Sequence, residues 1–103
     1  MDNNNGQQIA ATTRSQIRPM DLMAVGAQRG TYTFDKEGTL KFKVGGRMKW
    51  IEIALENDTY TVRLVRIKAK TFERVIVDSV SGIYNDMLSS AINNVYHGRT
   101  SGY

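Results

Sequence analysis

Three stretches between Thr39 and Lys70 alternate apolar with polar residues, and this alternation restricts the fold more than any other feature of the chain. A period of two is typical of strands that bury one face. Gly45-Gly46 and Asn57-Asp58 separate the stretches, and both pairs favour turns. We therefore predict an antiparallel meander. Its apolar face contains Leu40, Phe42, Val44, Ile51, Ile53, Leu55, Tyr60, Val62 and Leu64.

Further strands are predicted on both sides of this meander. Residues 30–34 alternate in the same way, and residues 72–80 are rich in β-branched side chains. The register is open near Leu64 and Val65, because the apolar residues beyond this point lie in the opposite phase. Either a bulge resets the alternation there, or both faces of the sheet are partly covered.

Helices are predicted at the two ends of the chain. A short helix is expected to end at Pro19, since the residue before a proline is pushed out of the helical conformation. Residues 20–27 are apolar, and periodicity does not separate strand from helix there. From Ser81 or Gly82 onward apolar residues recur at helical intervals, and Gly98 is placed to end this helix. Its apolar stripe consists of Tyr84, Met87, Leu88, Ala91, Ile92 and Val95.

These elements predict an α+β fold. It has a short N-terminal helix, a four- to five-stranded antiparallel meander sheet, and a C-terminal amphipathic helix packed on one face of that sheet. A chain of 103 residues is expected to form one domain, here over residues 8–97. Residues 1–7 are predicted to be a disordered tail because they are rich in Asn and Gln, and residues 98–103 are predicted to be a flexible C-terminal tail.

Lys and Arg are concentrated in the meander. Residues 39–70 carry eight of the fourteen Lys and Arg residues against three acids, and the formal charge of the chain is +4. An open sheet face with this charge can follow a phosphate backbone, and Trp50, in the polar phase of its strand, can stack on a base. The candidate residues for binding nucleic acid or another partner are Lys41, Lys43, Arg47, Lys49, Trp50, Arg63, Arg66 and Lys68.

Other interpretations of the same residues stay open. Lysine-rich outward faces also keep sheets soluble and prevent edge-to-edge pairing. Glu52 and Glu56 share the phase of Trp50 and would repel phosphate, and cross-strand pairing with Lys43 or Arg63 would make them ordinary sheet surface. Trp50 could instead anchor a protein interface, or the apolar N-terminal segment could cover it.

No residue pattern predicts catalysis, a metal site or a cofactor. The chain has no cysteine and one histidine, His97, beside a predicted helix end. Gly45-Gly46 lacks the Lys-Ser/Thr and the following helix of a phosphate-binding loop. We therefore expect a non-enzymatic protein. The lack of cysteine, of a signal sequence and of a long apolar run favours the cytoplasm over a secreted or membrane location.

Two segments resemble a group of small uncharacterised proteins of phages and mobile elements. They are DTYTVRLVRI, residues 58–67, and VSGIYNDMLSSAI, residues 80–92, and an Ala-Ala-Thr start, here residues 10–12, belongs to the same pattern. The resemblance covers residues 9–95, with Asn85 where the pattern usually has Ala. It implies an accessory protein of a virus or mobile element and carries over no catalytic or ligand residue.

The leading hypothesis is a small binding protein that contacts nucleic acid, or a nucleic-acid-containing host complex, through the basic sheet face. The alternative is a protein-binding inhibitor or accessory factor directed at a host defence protein. The third is a self-assembling structural protein that forms homo-oligomers through a strand edge. If the protein is phage-encoded, its expected location is the host cytoplasm.

Overall fold

The chain folds into two layers, with the helices on one face of a five-stranded antiparallel sheet. A computed structural model describes residues 3–28 and 30–99. The helices are α1 (Asn3–Ser15), α2 (Pro19–Ala24) and α3 (Leu88–Tyr96), and a 3-10 turn at Asn85–Met87 precedes α3. The strands are β1 (Thr33–Phe34), β2 (Leu40–Lys43), β3 (Lys49–Glu56), β4 (Thr59–Ile67) and β5 (Arg74–Ile83). This is the predicted α+β fold.

The sheet is a meander in which each strand pairs with the next one along the chain. Strand β4 pairs regularly with β3, but its pairing with β5 shifts between Leu64 and Val65. Val77 is the extra residue, because its neighbours Ile76 and Asp78 lie opposite Val65 and Leu64. The bulge therefore belongs to β5 and does not reset the alternation of β4. Both faces are covered at this point instead, because Leu64 and Val65 point to opposite faces and both are buried.

The core lies between the helices and the predicted apolar face of the sheet. Most of the alternating residues are buried there, although Leu55, near the end of β3, is 40% exposed. The apolar stripe predicted for the C-terminal helix is only partly buried. Those of its residues that lie in α3 are buried, whereas Tyr84 and Met87 precede the helix and are exposed. The side chains that are almost fully enclosed include Val25, Phe42, Val44, Ile51, Ile53, Val62, Leu88, Ile92 and Val95.

The structure differs from the predicted boundaries at three places. Helix α1 begins at Asn3, inside the segment that the sequence assigns to a tail over residues 1–7. The ambiguous residues 20–27 contain α2, which begins at Pro19 because a proline is tolerated in the first turn of a helix. Helix α3 begins later than predicted, because β5 continues through Ile83 before the chain turns.

The C-terminal helix ends at the predicted glycine. Gly98 has a φ of 71°, the left-handed region that glycine adopts without strain. The N–H of Arg99 donates to the carbonyl of Asn94 at 2.7 Å, and the N–H of Gly98 donates to that of Val95 at 3.3 Å. These two bonds form a Schellman motif. Residues 1–2 and 100–103 of the predicted tails lie outside the described residues, and the division into one domain and two tails stays a prediction.

Candidate functional site

The meander gathers like charges at one end of the sheet. Successive antiparallel strands reverse direction, so the β2–β3 and β4–β5 turns lie at the same end. Residues 43–49 and 66–74 contribute seven cations and one acid, Glu73. We call these seven cations the basic end: Lys43, Arg47, Lys49, Arg66, Lys68, Lys70 and Arg74.

The opposite end of the sheet carries the reverse charge. The β1–β2 turn, the β3–β4 turn and the segment after β5 meet there. Residues 35–38, 56–59 and 84–87 contain five acids and one cation, Lys36. The protein is therefore polarised along the strand direction, and its positive charge is concentrated at the basic end.

Three members of the basic end surround a pocket of about 470 Å³, which we call the cationic pocket. Lys49 begins β3 and Arg66 lies directly opposite it near the end of β4. Arg47 comes from the β2–β3 turn, and the other lining residues are Met48, Ile67 and Ala69. No acid is among these residues. Neither Lys49 nor Arg66 forms an ion pair within the described part of the chain.

Local backbone geometry presents these cations on the turn. Met48 has a φ of 58°, which tightens the connection between β2 and β3. Its carbonyl accepts a hydrogen bond from the N–H of Ile67 at 2.9 Å, and this bond holds the turn against the end of β4. The N–H of Gly45 donates to the carbonyl of Val25 at 2.9 Å, so the helical layer also supports the turn.

The open face, which is the side of the sheet away from the helices, is centred on an acid. Glu52 is 6% exposed, and Lys41 and Arg63 lie directly opposite it on the neighbouring strands. Arg74 donates two hydrogen bonds to its carboxylate, one of them from Nε at 3.0 Å. The hydrogen bond to Glu52 raises the pKa of the Arg74 guanidinium above its ordinary value. The acid at the centre of the open face is thus paired with Arg74.

Trp50 lies on the open face and is half-buried. It is directly opposite Val65, which is 1% exposed although it lies outside the main core. The two residues line a shallow pocket of about 320 Å³, together with Ile67 and three polar residues. Val25 and its neighbours in residues 20–27 pack into the core on the other face, so they do not cover Trp50.

The predicted site residues therefore divide into two groups. Lys41, Lys43, Trp50 and Arg63 lie on the open face, as the alternation indicates. Lys49 and Arg66 have the other phase, and with Arg47 they line the cationic pocket. Lys68 lies in the β4–β5 turn, with Nζ at 3.6 Å from a carboxylate oxygen of Glu73.

Three residues of this end of the sheet were not among the predicted site residues. Lys70 and Phe72 lie within the β4–β5 turn and Arg74 begins β5, and 75% of the surface of Phe72 is exposed. The lysines of the turn are visible in the sequence, but Phe72 is easily assigned to the strand that follows it. The partner of Arg74 is 22 residues away in the chain. Only the pairing of strands reveals it.

Comparisons with protein-family models, with curated proteins and with solved structures gave no match for this chain. Among the described residues, none of the helices combines the length and apolar character that a membrane crossing requires. Within the same residues, no three acidic or histidine side chains are grouped as metal ligands would be. The function proposed below therefore depends on the geometry of the basic end.

Proposed function

We propose that this protein is a non-enzymatic binding protein that holds the phosphate backbone of nucleic acid at its basic end. The observation that carries the proposal is the direct cross-strand pairing of Lys49 with Arg66 beside Arg47, around a pocket with no acidic lining. Like charges placed directly opposite each other destabilise a sheet. A phosphate bound between them would remove that repulsion and form charge-assisted hydrogen bonds with Arg47 and Arg66.

The location of this proposed interface differs from the basic sheet face that the sequence favours. On the open face, Lys41 and Arg63 lie on either side of Glu52, and Nζ of Lys41 is 4.0 Å from a carboxylate oxygen of Asp35. The basic end has a single acid, Glu73, and that acid is close to Lys68. The acids at the other end would orient the protein, so that the two turns approach the nucleic acid first.

Two double variants of equal charge change test the proposal. In Lys49→Gln/Arg66→Gln, two phosphate contacts are removed from the cationic pocket, and in Lys41→Gln/Arg63→Gln two cations are removed from the open face. For single-stranded probes each phosphate contact contributes about 0.7 to the slope of log K against log salt concentration. The slope of the first variant should therefore be smaller in magnitude by about 1.4 than that of the wild type. Its affinity at 0.1 M salt should fall by about 25-fold. Fluorescence anisotropy with a labelled oligothymidylate measures both quantities.

The open-face variant is the matched control. It should keep most of the affinity and most of the salt slope, because Lys41 and Arg63 lie next to Glu52. Circular dichroism and thermal unfolding establish that both variants are folded. Equal losses in the two variants would show that the open face binds as well. Salt-independent or absent binding of the wild-type protein to both single- and double-stranded probes would refute nucleic-acid binding.

A second candidate function is the capture of a host protein, and strand β5 favours it. This strand lies at the edge of the sheet, and Ile76 and Val77 are each about half-exposed on it. Exposed apolar side chains of this kind can contact a partner protein directly, without the addition of a strand to the sheet. Recovery of partners from host lysate with and without nuclease separates the two functions. A partner that persists after nuclease and is lost in Val77→Lys would favour the protein-binding alternative.

A cytoplasmic location and an origin in a phage or mobile element belong to the same proposal. The lack of cysteine in the chain supports the first, and the residue patterns at 58–67 and 80–92 support the second. A self-assembling structural role would use the edge of β5, and light scattering over a range of protein concentrations measures it.

A further inference from the structure

The β4–β5 turn presents an aromatic ring in a costly backbone conformation. The N–H of Phe72 donates to the carbonyl of Lys68 at 2.7 Å, and the N–H of Lys68 donates to the carbonyl of Glu73 at 2.9 Å. These bonds close the turn and hold Phe72 at a φ of 57°. This left-handed region suits glycine and asparagine, and it strains a bulky aromatic residue.

Packing does not compensate for this strain. The side chain of Phe72 is 75% exposed and does not belong to the hydrophobic core. A residue that is strained, aromatic and exposed at once indicates a functional position, since neither folding nor solubility is served by it.

The surroundings of Phe72 identify the chemistry of its partner. Lys68 and Lys70 precede it in the same turn, and Ala69 of that turn lines the cationic pocket. An exposed ring on a turn that also lines a basic pocket is the combination that binds single strands, because the ring stacks on a base while the cations hold the adjacent phosphates. We infer that Phe72 is a base-stacking residue and that the ligand of the basic end is single-stranded nucleic acid. This inference rests on the function proposed above.

A second aromatic extends the binding path. Ile67 lines both the cationic pocket and the shallow pocket beside Trp50. A strand that stacks on Phe72 and places phosphates at Arg47 and Arg66 therefore reaches Trp50 by passing Ile67. The pocket at Trp50, of about 320 Å³, is also lined by Glu52, so it would take the uncharged base and not a phosphate.

A single strand fits these features better than a duplex or a lipid surface. In a duplex the base faces are already stacked on each other, so Phe72 would gain nothing without unstacking them. A bilayer presents its anionic groups in a plane, whereas three cations of the basic end line a concave pocket. Both alternatives are outcomes of the following experiment.

The test replaces the ring and leaves every charge in place. Phe72→Gly also removes the backbone strain, so the variant should fold at least as well as the wild type. Its affinity for oligothymidylate should fall by about 5- to 100-fold, since stacking of one base contributes that much to binding. Binding to a duplex of the same length and the salt slope should stay unchanged. Phe72→Trp, which keeps an aromatic ring at this position, should bind oligothymidylate about as tightly as the wild type.

Tyr84 provides the matched control. It is 61% exposed at the opposite end of the sheet, so Tyr84→Gly should bind oligothymidylate as the wild type does. The single tryptophan, Trp50, should lose fluorescence when oligothymidylate binds to the wild type. Vesicles of phosphatidylserine and phosphatidylcholine serve as the lipid probe.

The outcomes separate this inference from the function on which it rests. If Phe72→Gly keeps full single-strand affinity while Lys49→Gln/Arg66→Gln loses it, the stacking role is refuted and phosphate binding stands. If the wild type binds the duplex as tightly as the single strand, or binds the vesicles instead, single-strand recognition is refuted. If no nucleic acid binds at all, both proposals fail together.

Discussion

At the residue scale, Arg66 and Lys49 form a pair that ordinary folding would avoid. They lie directly opposite each other on neighbouring strands. The ammonium group of Lys49 lies over the aromatic ring of Tyr96, with Nζ 6.0 Å from the ring centroid. A cross-strand pair of like charges costs a few tenths of a kcal/mol to about 1 kcal/mol.

Arg66→Glu should therefore make the protein more stable while it abolishes binding. The substitution converts the repulsion from Lys49 into a cross-strand attraction, and we expect a stabilisation of about 0.5–1 kcal/mol. Urea denaturation measures the change in stability, and anisotropy measures binding. Lys70→Glu has the same charge change on an exposed turn and should leave stability within about 0.5 kcal/mol. A destabilised Arg66→Glu protein would contradict the assignment of this pair as strained.

Arg74→Ala should destabilise the protein, because it leaves the carboxylate of Glu52 buried without its hydrogen-bond donor. The expected loss is about 1–3 kcal/mol. It is not larger, since 46% of the Arg74 side chain is exposed and water replaces part of the contact. The double variant Glu52→Gln/Arg74→Ala should recover part of the stability, and a thermodynamic cycle of the two changes measures the coupling. Additive effects would exclude a coupled pair.

Ionisation of Arg74 should add no pH dependence to the stability of the protein in acid or neutral solution. Its pKa is raised in the folded protein by the hydrogen bond to Glu52, and the ordinary value for arginine is already far above neutrality. A raised pKa contributes stability that is present below the unfolded value and is lost only as the pH rises through the folded value. That loss would require strongly alkaline solution.

At the scale of elements, helix α1 is held against the β1–β2 turn by two glycines. A β-carbon on Gly6 would lie 2.7 Å from the carbonyl oxygen of Lys36, and one on Gly38 would lie 2.6 Å from the β-carbon of Ile9. The polar start of α1 therefore docks by close backbone approach. Ala10, later in α1, and Ile17, just beyond the end of the helix, bury apolar surface in the core.

Gly6→Ala should destabilise the protein, although the same change in an exposed helix stabilises by about 0.5–1 kcal/mol. The reason is the clash with the backbone of the β1–β2 turn, and overpacking of this kind costs about 1–3 kcal/mol. Gln7→Ala, at an exposed position of α1, is the matched control and should be neutral or slightly stabilising. Thermal unfolding compares the two variants. A stabilised Gly6→Ala protein would show that α1 does not dock on this turn.

The exposed edge of β5 is interrupted by irregular pairing, which opposes pairing with another chain. Val77 is an extra residue opposite β4. The β4–β5 register shifts a second time between Tyr60 and Val62, and Gly82, with a φ of 68°, lies in β5 at that shift. Bulges of this kind twist an edge strand and hinder pairing with another chain. This geometry makes self-assembly through β5 a weaker proposal than binding at the basic end.

At the scale of the whole molecule, charge is separated along the strands and not between the faces of the sheet. In the sequence, the cations of residues 39–70 suggest one basic face, because alternation assigns each side chain to a face. The meander instead joins two turns that are about twenty residues apart in the chain, and this proximity creates the basic end. The polarity should orient the protein on any polyanion.

Alternation and turn composition by themselves determined the strands, their antiparallel order and the identity of the core face. Local chemistry is sufficient for these features, because each depends on residues close together in the chain. The helix end at Gly98 is local in the same way. The later start of α3 was not predictable, since β5 extends through Ile83 by pairing with Tyr60 of another strand.

Only the tertiary structure decided which cations act together. Lys49 and Arg66 are seventeen positions apart and meet through strand register, and Glu52 is neutralised by Arg74 across the sheet. Phe72 becomes a candidate only when its exposure and its left-handed backbone are known. The physical reason is common to all three cases. Burial, register and backbone strain depend on contacts between distant segments, and the order of residues along the chain does not contain them.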